Sequence, residues 1–338
     1  MHRLLPILIL VTLASACGFG TSPPPPAPAP TLAKPANLLT PRPTPPPPTP
    51  TPKVVAVPGI AVPGTAVPTL VPTSAPSVRG TPVQASEPLQ GMLLDDRLTS
   101  PIIGGTFPYR VYLPPDYQRS PQRRYPVLYM LHGAGGNYTE WTDSFLPEQA
   151  DRLMVAHEIP PMIVVMPDDG GQTYWANWSE GGPRWADYLT DDIVSTIDQR
   201  YRTLANAQSR AIGGLSMGGL GALNLAFQHP DIFGVVGAHS PSVRLEPDPA
   251  LWFLQGQTFW DNDPVWLAQN RSGLDSLTIW LDAGTEDVWL ANIEAVHDAL
   301  VDEGLHPMWH IYPGPHEAEY WIEHVPDYLH FYGGALRT

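Results

Sequence analysis

The sequence predicts an α/β fold, a mostly parallel central sheet with helices on both faces, and three observations predict it. From about Gly91 onward, short apolar runs alternate with stretches of helical periodicity, and Gly or Pro residues punctuate the junctions. Strands that alternate with helices pair in parallel through right-handed crossovers, which covers both faces of the sheet. Roughly 250 residues follow the Pro-rich N-terminal stretch, enough for one domain with a full hydrophobic core.

In chain order, strands are expected at Tyr109 to Leu113, Tyr125 to Leu131, Met162 to Met166, Arg210 to Leu215, Phe233 to Ala238, Leu277 to Leu281 and Met308 to Tyr312. Helical patterns occupy Trp185 to Tyr201, Met217 to Gln228, Leu290 to Glu303 and Glu317 to Phe331. In open sheets of this kind ligands bind beyond the carboxyl ends of the strands. Chemistry is therefore sought just after each apolar run.

The N-terminal residues read differently. Met1-His2-Arg3 precedes an apolar run, Leu4 to Ala14, of signal-peptide length and well short of the roughly 20 residues that span a bilayer. It ends in Leu13-Ala14-Ser15-Ala16-Cys17, which resembles a bacterial lipobox, so residues 1–17 are expected to be a signal peptide with Cys17 lipidated. Simple cleavage near Ala16 is the alternative. Residues 21–90 then hold 22 of the 43 prolines, including Pro23 to Pro26 and Pro45 to Pro48. Proline fixes φ and lacks a backbone donor, so residues 18–90 are expected to be an extended, disordered stalk that holds the domain of residues 91–338 outside a membrane.

Composition excludes several chemistries. The only lysines are Lys34 and Lys53, so the domain has no P-loop, Schiff-base lysine or Ser-Lys dyad. Cys17 is the one cysteine, which removes disulfides, a thiol nucleophile and cysteine-ligated zinc from the domain. From Gly91 onward 13 Arg face 32 Asp or Glu, a net of −19 that repels nucleic acid. No H-E-x-x-H is present, and neither a metal nor another cofactor is expected.

The strongest local signal is Gly214-Leu215-Ser216-Met217-Gly218, set between a strand and a helix. It matches the G-x-S-x-G nucleophile elbow, in which a strained turn exposes the serine and leaves no room for side chains two positions away. A serine hydroxyl is a weak nucleophile until a base takes its proton. His316, in the turn Pro313-Gly314-Pro315-His316 after the last strand, is the expected base. His306 and His310 fall at or within that strand, and His324 and His330 lie on the final helical pattern. Three carboxyl groups, Asp282, Glu286 and Asp287, compete for the acid after the preceding strand. Asp287 is favoured because it lies past the Gly284 turn and can reach back toward an imidazole. An oxyanion needs two backbone donors, expected from Met217, which follows the serine, and from Ala134 in His132-Gly133-Ala134-Gly135-Gly136, with Gly133 or Gly135 as alternatives. Trp141, Trp175, Trp178 and Trp321 are candidates to line the cleft.

These residues together resemble the esterase D-like family of α/β-hydrolases, which includes feruloyl and acetyl xylan esterases, enterochelin esterases and mycolyltransferases. The likeness runs over most of Tyr109 to Tyr332. It implies the α/β-hydrolase fold, a Ser216-Asp287-His316 triad, an oxyanion hole at the Ala134 and Met217 amides, and an acyl-enzyme. The expected activity is hydrolysis of a small-molecule or carbohydrate ester outside the cytoplasm, by an enzyme held at a bacterial membrane through a lipid on Cys17. Two rival readings remain: transfer of the acyl group to a sugar or lipid acceptor, and an inactive carbohydrate-binding domain on the same fold.

Overall fold

The computed structural model describes residues 88–338. The expectations for residues 1–17, for Cys17 and for nearly all of the stalk lie outside these residues. Eight strands form one sheet in the order β1-β2-β4-β3-β5-β6-β7-β8: β1 Met92–Ser100, β2 Gly105–Leu113, β3 Val127–Leu131, β4 Ile163–Pro167, β5 Arg210–Leu215, β6 Val235–His239, β7 Thr278–Gly284 and β8 Met308–Tyr312. Every pairing from β4 to β8 is parallel, whereas β1 with β2 and β2 with β4 are antiparallel.

Helices fill the crossovers, α1 Glu140–Asp143, α2 Leu146–Val155, α3 Trp185–Asp187, α4 Val194–Arg200, α5 Met217–Gln228, α6 Gln257–Asp261, α7 Pro264–Asn270 and α8 Leu290–Asp302, and α9 Ala318–Ala335 follows the last strand. Among the described residues no helix is long and apolar enough to cross a membrane. A π-helical turn, Tyr188–Ile193, joins α3 to α4, so the single helix expected over Trp185 to Tyr201 is three segments. The last helix continues to Ala335 although it contains Pro326, whose ring removes one donor from the helical ladder.

Because strand side chains alternate between faces, the sheet divides the interior into two cores. Tyr129, Leu131, Val165 and Ile212 pack on one face with residues of α5, α7 and α8. Leu128, Met130, Val164 and Ala211 pack on the other with residues of α2 and α9. All five residues of β3 and of β4 are buried, the signature of strands covered on both sides.

Elements without a counterpart in the sequence reading are β1, the short helices α1, α6 and α7, and α2. Strand β1 carries Asp95, Asp96 and Arg97 at a half-exposed edge, so it lacks the continuous apolar run of the inner strands. It begins at Met92, and just before it Gln90 N and Gly91 N donate to Asp151.

Candidate active site

The chain reverses between β5 and α5 at Ser216, whose φ of 52° and ψ of −116° are costly for a residue with a Cβ. Such a turn forms here because the residues two positions away on either side, Gly214 and Gly218, have no side chains. A Cβ on Gly214 would lie 2.5 Å from the Gly218 carbonyl carbon, and one on Gly218 would lie 2.4 Å from the Leu131 oxygen. The turn is clamped on both backbone groups of Ser216. Its N–H donates to His239 O at 3.0 Å, and its carbonyl accepts from Ser242 N at 3.0 Å.

The loops after β7 and β8 bring the other two groups to it. Glu286 N donates to Gly314 O, and a Cβ on Gly284 would lie 2.1 Å from that oxygen, so the two loops are pressed together. His316 Nε2 lies 2.8 Å from Ser216 Oγ, and His316 Nδ1 lies 3.0 Å from Asp287 Oδ2. The Asp287 side chain is sealed from solvent while that of His316 is 19% exposed. A dry acid behind a reachable base suits proton transfer to and from a bound substrate.

Structure also separates the competing carboxyl groups. Asp282 points to the interior and serves His239, whose Nδ1 is 2.8 Å away. Glu286 is exposed. Burial lowers the pKa of His239 against the opposing influence of Asp282, which keeps the ring neutral, with Nδ1–H donating to Asp282 and Tyr332 O–H donating to Nε2. Of the other histidines considered, His310 stacks on Trp280 and His324 on Tyr312.

On the loop after β3, hydrogen bonding distinguishes the candidate oxyanion donors. Gly133 N donates to Glu140 Oε2 at 2.6 Å, Gly135 N to Gly171 O at 3.0 Å and Gly136 N to Gly133 O at 3.1 Å. Ala134, the exposed residue between them, keeps an amide with no acceptor among the described residues. Met217 opens α5, where first-turn amides have no intrahelical partner, and the first backbone bond there runs from Leu220 N to Ser216 O. Burial raises the pKa of Glu140, against the lowering effect of the Gly133 amide. Beneath the loop His132 and Asp169 form a buried pair at 3.1 Å. Burial is the largest single influence on His132 and opposes its charge, but the hydrogen bond and charge of Asp169, with the Gly133 carbonyl and the Asp168 charge, together outweigh it and the pKa is raised.

The tryptophans divide. Trp141 and Trp175 are 1% exposed, which corrects their assignment to the cleft wall. Their indole N–H groups donate to Leu131 O and His132 O, so they brace the start of the loop that carries Ala134 from beneath. Trp321 is also buried and sets its ring edge-on to the His316 imidazole at 4.9 Å. Trp178 is half-buried and stacks on Phe253 beside Trp252, which is 68% exposed. Sequence reasoning missed Ser240 and Glu140. Ser240 stands at the carboxyl end of β6, where the topology places chemistry, and that position was its one available signal. Among the described residues no group of three or more His, Cys, Asp or Glu is arranged to hold a metal ion.

Comparison with known proteins places the chain among esterases. The chain is 36% identical over 155 residues, 45% of its length, to an esterase of Mycobacterium tuberculosis (strain ATCC 25618 / H37Rv), and spans 33% of that protein. It is 36% identical over 140 residues, 38% of its length, to an endo-1,4-beta-xylanase/feruloyl esterase of Xylanibacter ruminicola, of which it spans 18%. The chain thus covers a third or less of these curated relatives. Among solved structures, a ferulic acid esterase is 28% identical with a TM-score of 0.67, covering 73% of this chain and 100% of its own. An S-formylglutathione hydrolase from Agrobacterium tumefaciens, 18% identical with a TM-score of 0.65 over 75% of this chain and 98% of its own, shares the fold. The sheet is that of the α/β-hydrolase esterases, and since the family profile described as Putative esterase matches residues 100–332, the chain belongs to that family.

Proposed function

We propose that the protein is a serine carboxylester hydrolase working through an acyl-enzyme, with Ser216 as nucleophile, His316 as base and Asp287 as the acid that orients it. The observation that carries this reading is the 2.8 Å contact between His316 Nε2 and Ser216 Oγ at a strained elbow, with Asp287 behind the ring. Family membership and the ferulic acid esterase likeness support the same reaction class.

In the first half-reaction His316 Nε2 takes the Ser216 proton as Oγ bonds to the ester carbonyl carbon. The carbonyl oxygen becomes an oxyanion, for which the Ala134 and Met217 amides are the candidate donors. Collapse breaks the bond to the alcohol oxygen, and His316 returns the proton to it. Water then repeats the sequence on the acyl-enzyme, releasing the acid and restoring Ser216. Asp287 holds the ring tautomer and stabilises the imidazolium without taking its proton. Aryl esters of the ferulic acid type are the first substrates to offer, on the strength of the named relatives. The lipobox-like Leu13 to Cys17 supports an extracytoplasmic location with a lipid anchor, the Pro-rich segment serving as stalk.

Ser216→Ala on a p-nitrophenyl ester tests the chemistry. Turnover is expected to fall by up to about a millionfold. Undiminished turnover would refute it. For the location, Cys17→Ala is expected to release the protein from the membrane fraction, and an unchanged distribution would argue against the anchor.

A further inference from the structure

Residues 239–242 touch both the nucleophile and the acid. His239 O and Ser242 N hold the two backbone groups of Ser216, and between them Ser240 O–H donates to Asp287 Oδ2, the oxygen that also faces His316 Nδ1. Ser240 Oγ lies 3.4 Å from that same Nδ1. Asp287 Oδ1 is held from the other side by Trp289 N at 2.7 Å. Three donors from three loops, after β6, β7 and β8, therefore fix the carboxyl group in place. Ser240 is fully buried, and its N–H donates to Asp282 O at 3.0 Å. Its φ of 52° is, like that of Ser216, an unfavourable conformation for a residue with a Cβ. Such strain persists where the surroundings over-determine it, and it clusters at functional sites.

We propose that Ser240 is a positioning residue for the triad: its hydroxyl locks the Asp287 carboxyl group at the angle that receives His316, and its backbone ties that carboxyl group to the elbow carrying Ser216. The proposal rests on the triad reading above. A carboxyl group with one donor fewer can turn about its Cβ–Cγ bond, so the imidazole loses its aligned partner. Substrate binding does not depend on that alignment. The effect belongs in kcat rather than KM.

Ser240→Ala removes the hydroxyl, and Ser240→Gly removes it while relieving the backbone strain, so the glycine variant covers the case in which alanine does not fold. With p-nitrophenyl acetate, both are expected to lower kcat about tenfold to a hundredfold, the range for a lost hydrogen bond to a charged group, with KM within about twofold of wild type. In an Asp287→Ala background, read with a fluorogenic ester, Ser240→Gly is expected to change kcat by less than about twofold, because the group it acts through is gone. Wild-type kcat in the single variants overturns the proposal, and so does an equal loss in both backgrounds, which marks a purely structural role. A Ser216→Ala control separates the two readings: if it is inactive while Ser240→Gly is fully active, the positioning role fails and the triad stands.

Discussion

The imidazole of His239 and the carboxyl group of Asp282 meet at 2.8 Å with both side chains sealed from solvent. His239 precedes Ser240 and the Asp282 carbonyl accepts from Ser240 N, and the pair repeats the His-Asp arrangement of the cleft inside the protein. Asp282 also accepts from Trp280 Nε1, Tyr320 O–H and Tyr328 O–H, while His239 stacks on Tyr328 at 3.5 Å. It is the floor on which the elbow and the acid loop stand.

The two aspartates should therefore fail in different ways. Asp282→Ala strands four buried donors and is expected to cost on the order of 3–5 kcal/mol, lowering Tm by roughly 10 °C. Asp287→Ala is expected to reduce kcat by about ten-thousandfold with a smaller change in Tm, since the partly exposed His316 can turn to water. Thermal melts and steady-state kinetics on both variants check the distinction.

Two glycines make a second contrast. A Cβ on Gly218 would press on the Leu131 and His132 carbonyl oxygens at 2.4 and 2.6 Å, where β3 leads into the loop that carries the proposed oxyanion donor Ala134. Gly218→Ala is expected to lose at least about a hundredfold in kcat, as for a displaced oxyanion donor, or to fail to fold. At Gly104 nothing lies within 4 Å and only the φ of +77° opposes a side chain. Gly104→Ala is expected to cost about 1–2 kcal/mol and to keep full activity. Soluble yield, Tm and kcat measured side by side decide it.

How much was legible follows from where the information resides. The inner strands announce themselves because both faces are buried, and Ser216, His316 and Asp287 could be named because an elbow needs glycines and each partner follows a strand. Strand boundaries moved by up to four residues: β2 begins at Gly105 where Tyr109 was expected, β7 runs on to Gly284 past Leu281, and the run beginning at Tyr125 enters β3 at Val127, after Pro126. The edge strand β1 has charges where an inner strand has Val or Ile. Ser240 and Glu140 act through hydrogen bonds to residues 47 and 7 positions away, a relation that no local pattern encodes. The burial of Trp141 and Trp175 is likewise tertiary, because a tryptophan near a glycine loop can lie over it or under it.

A pH dependence of stability follows from Asp263, the N-cap of α7, which is 4% exposed and accepts from Val265 N. Burial pushes its carboxyl group up to about 6 from 3.8, against the lowering effect of the Val265 and Trp266 amides. The folded state thus holds this proton to higher pH than the unfolded chain does. Between about pH 4 and 6 the native state binds more protons, so this group's contribution to stability falls as pH rises through that window. Asp263→Asn keeps a good cap without the charge. Its Tm is expected to exceed that of wild type at pH 7 and to converge on it near pH 4. A constant Tm difference across that range would contradict the assignment.

The most direct test of the central claim is intact-protein mass measurement within the first turnovers on a slowly deacylating aryl ester, followed by peptide mapping. The acyl mass is expected on the peptide that carries Ser216, and it should be absent from Ser216→Ala. An acyl group on another residue, or wild-type hydrolysis by Ser216→Ala with no adduct, would contradict the account.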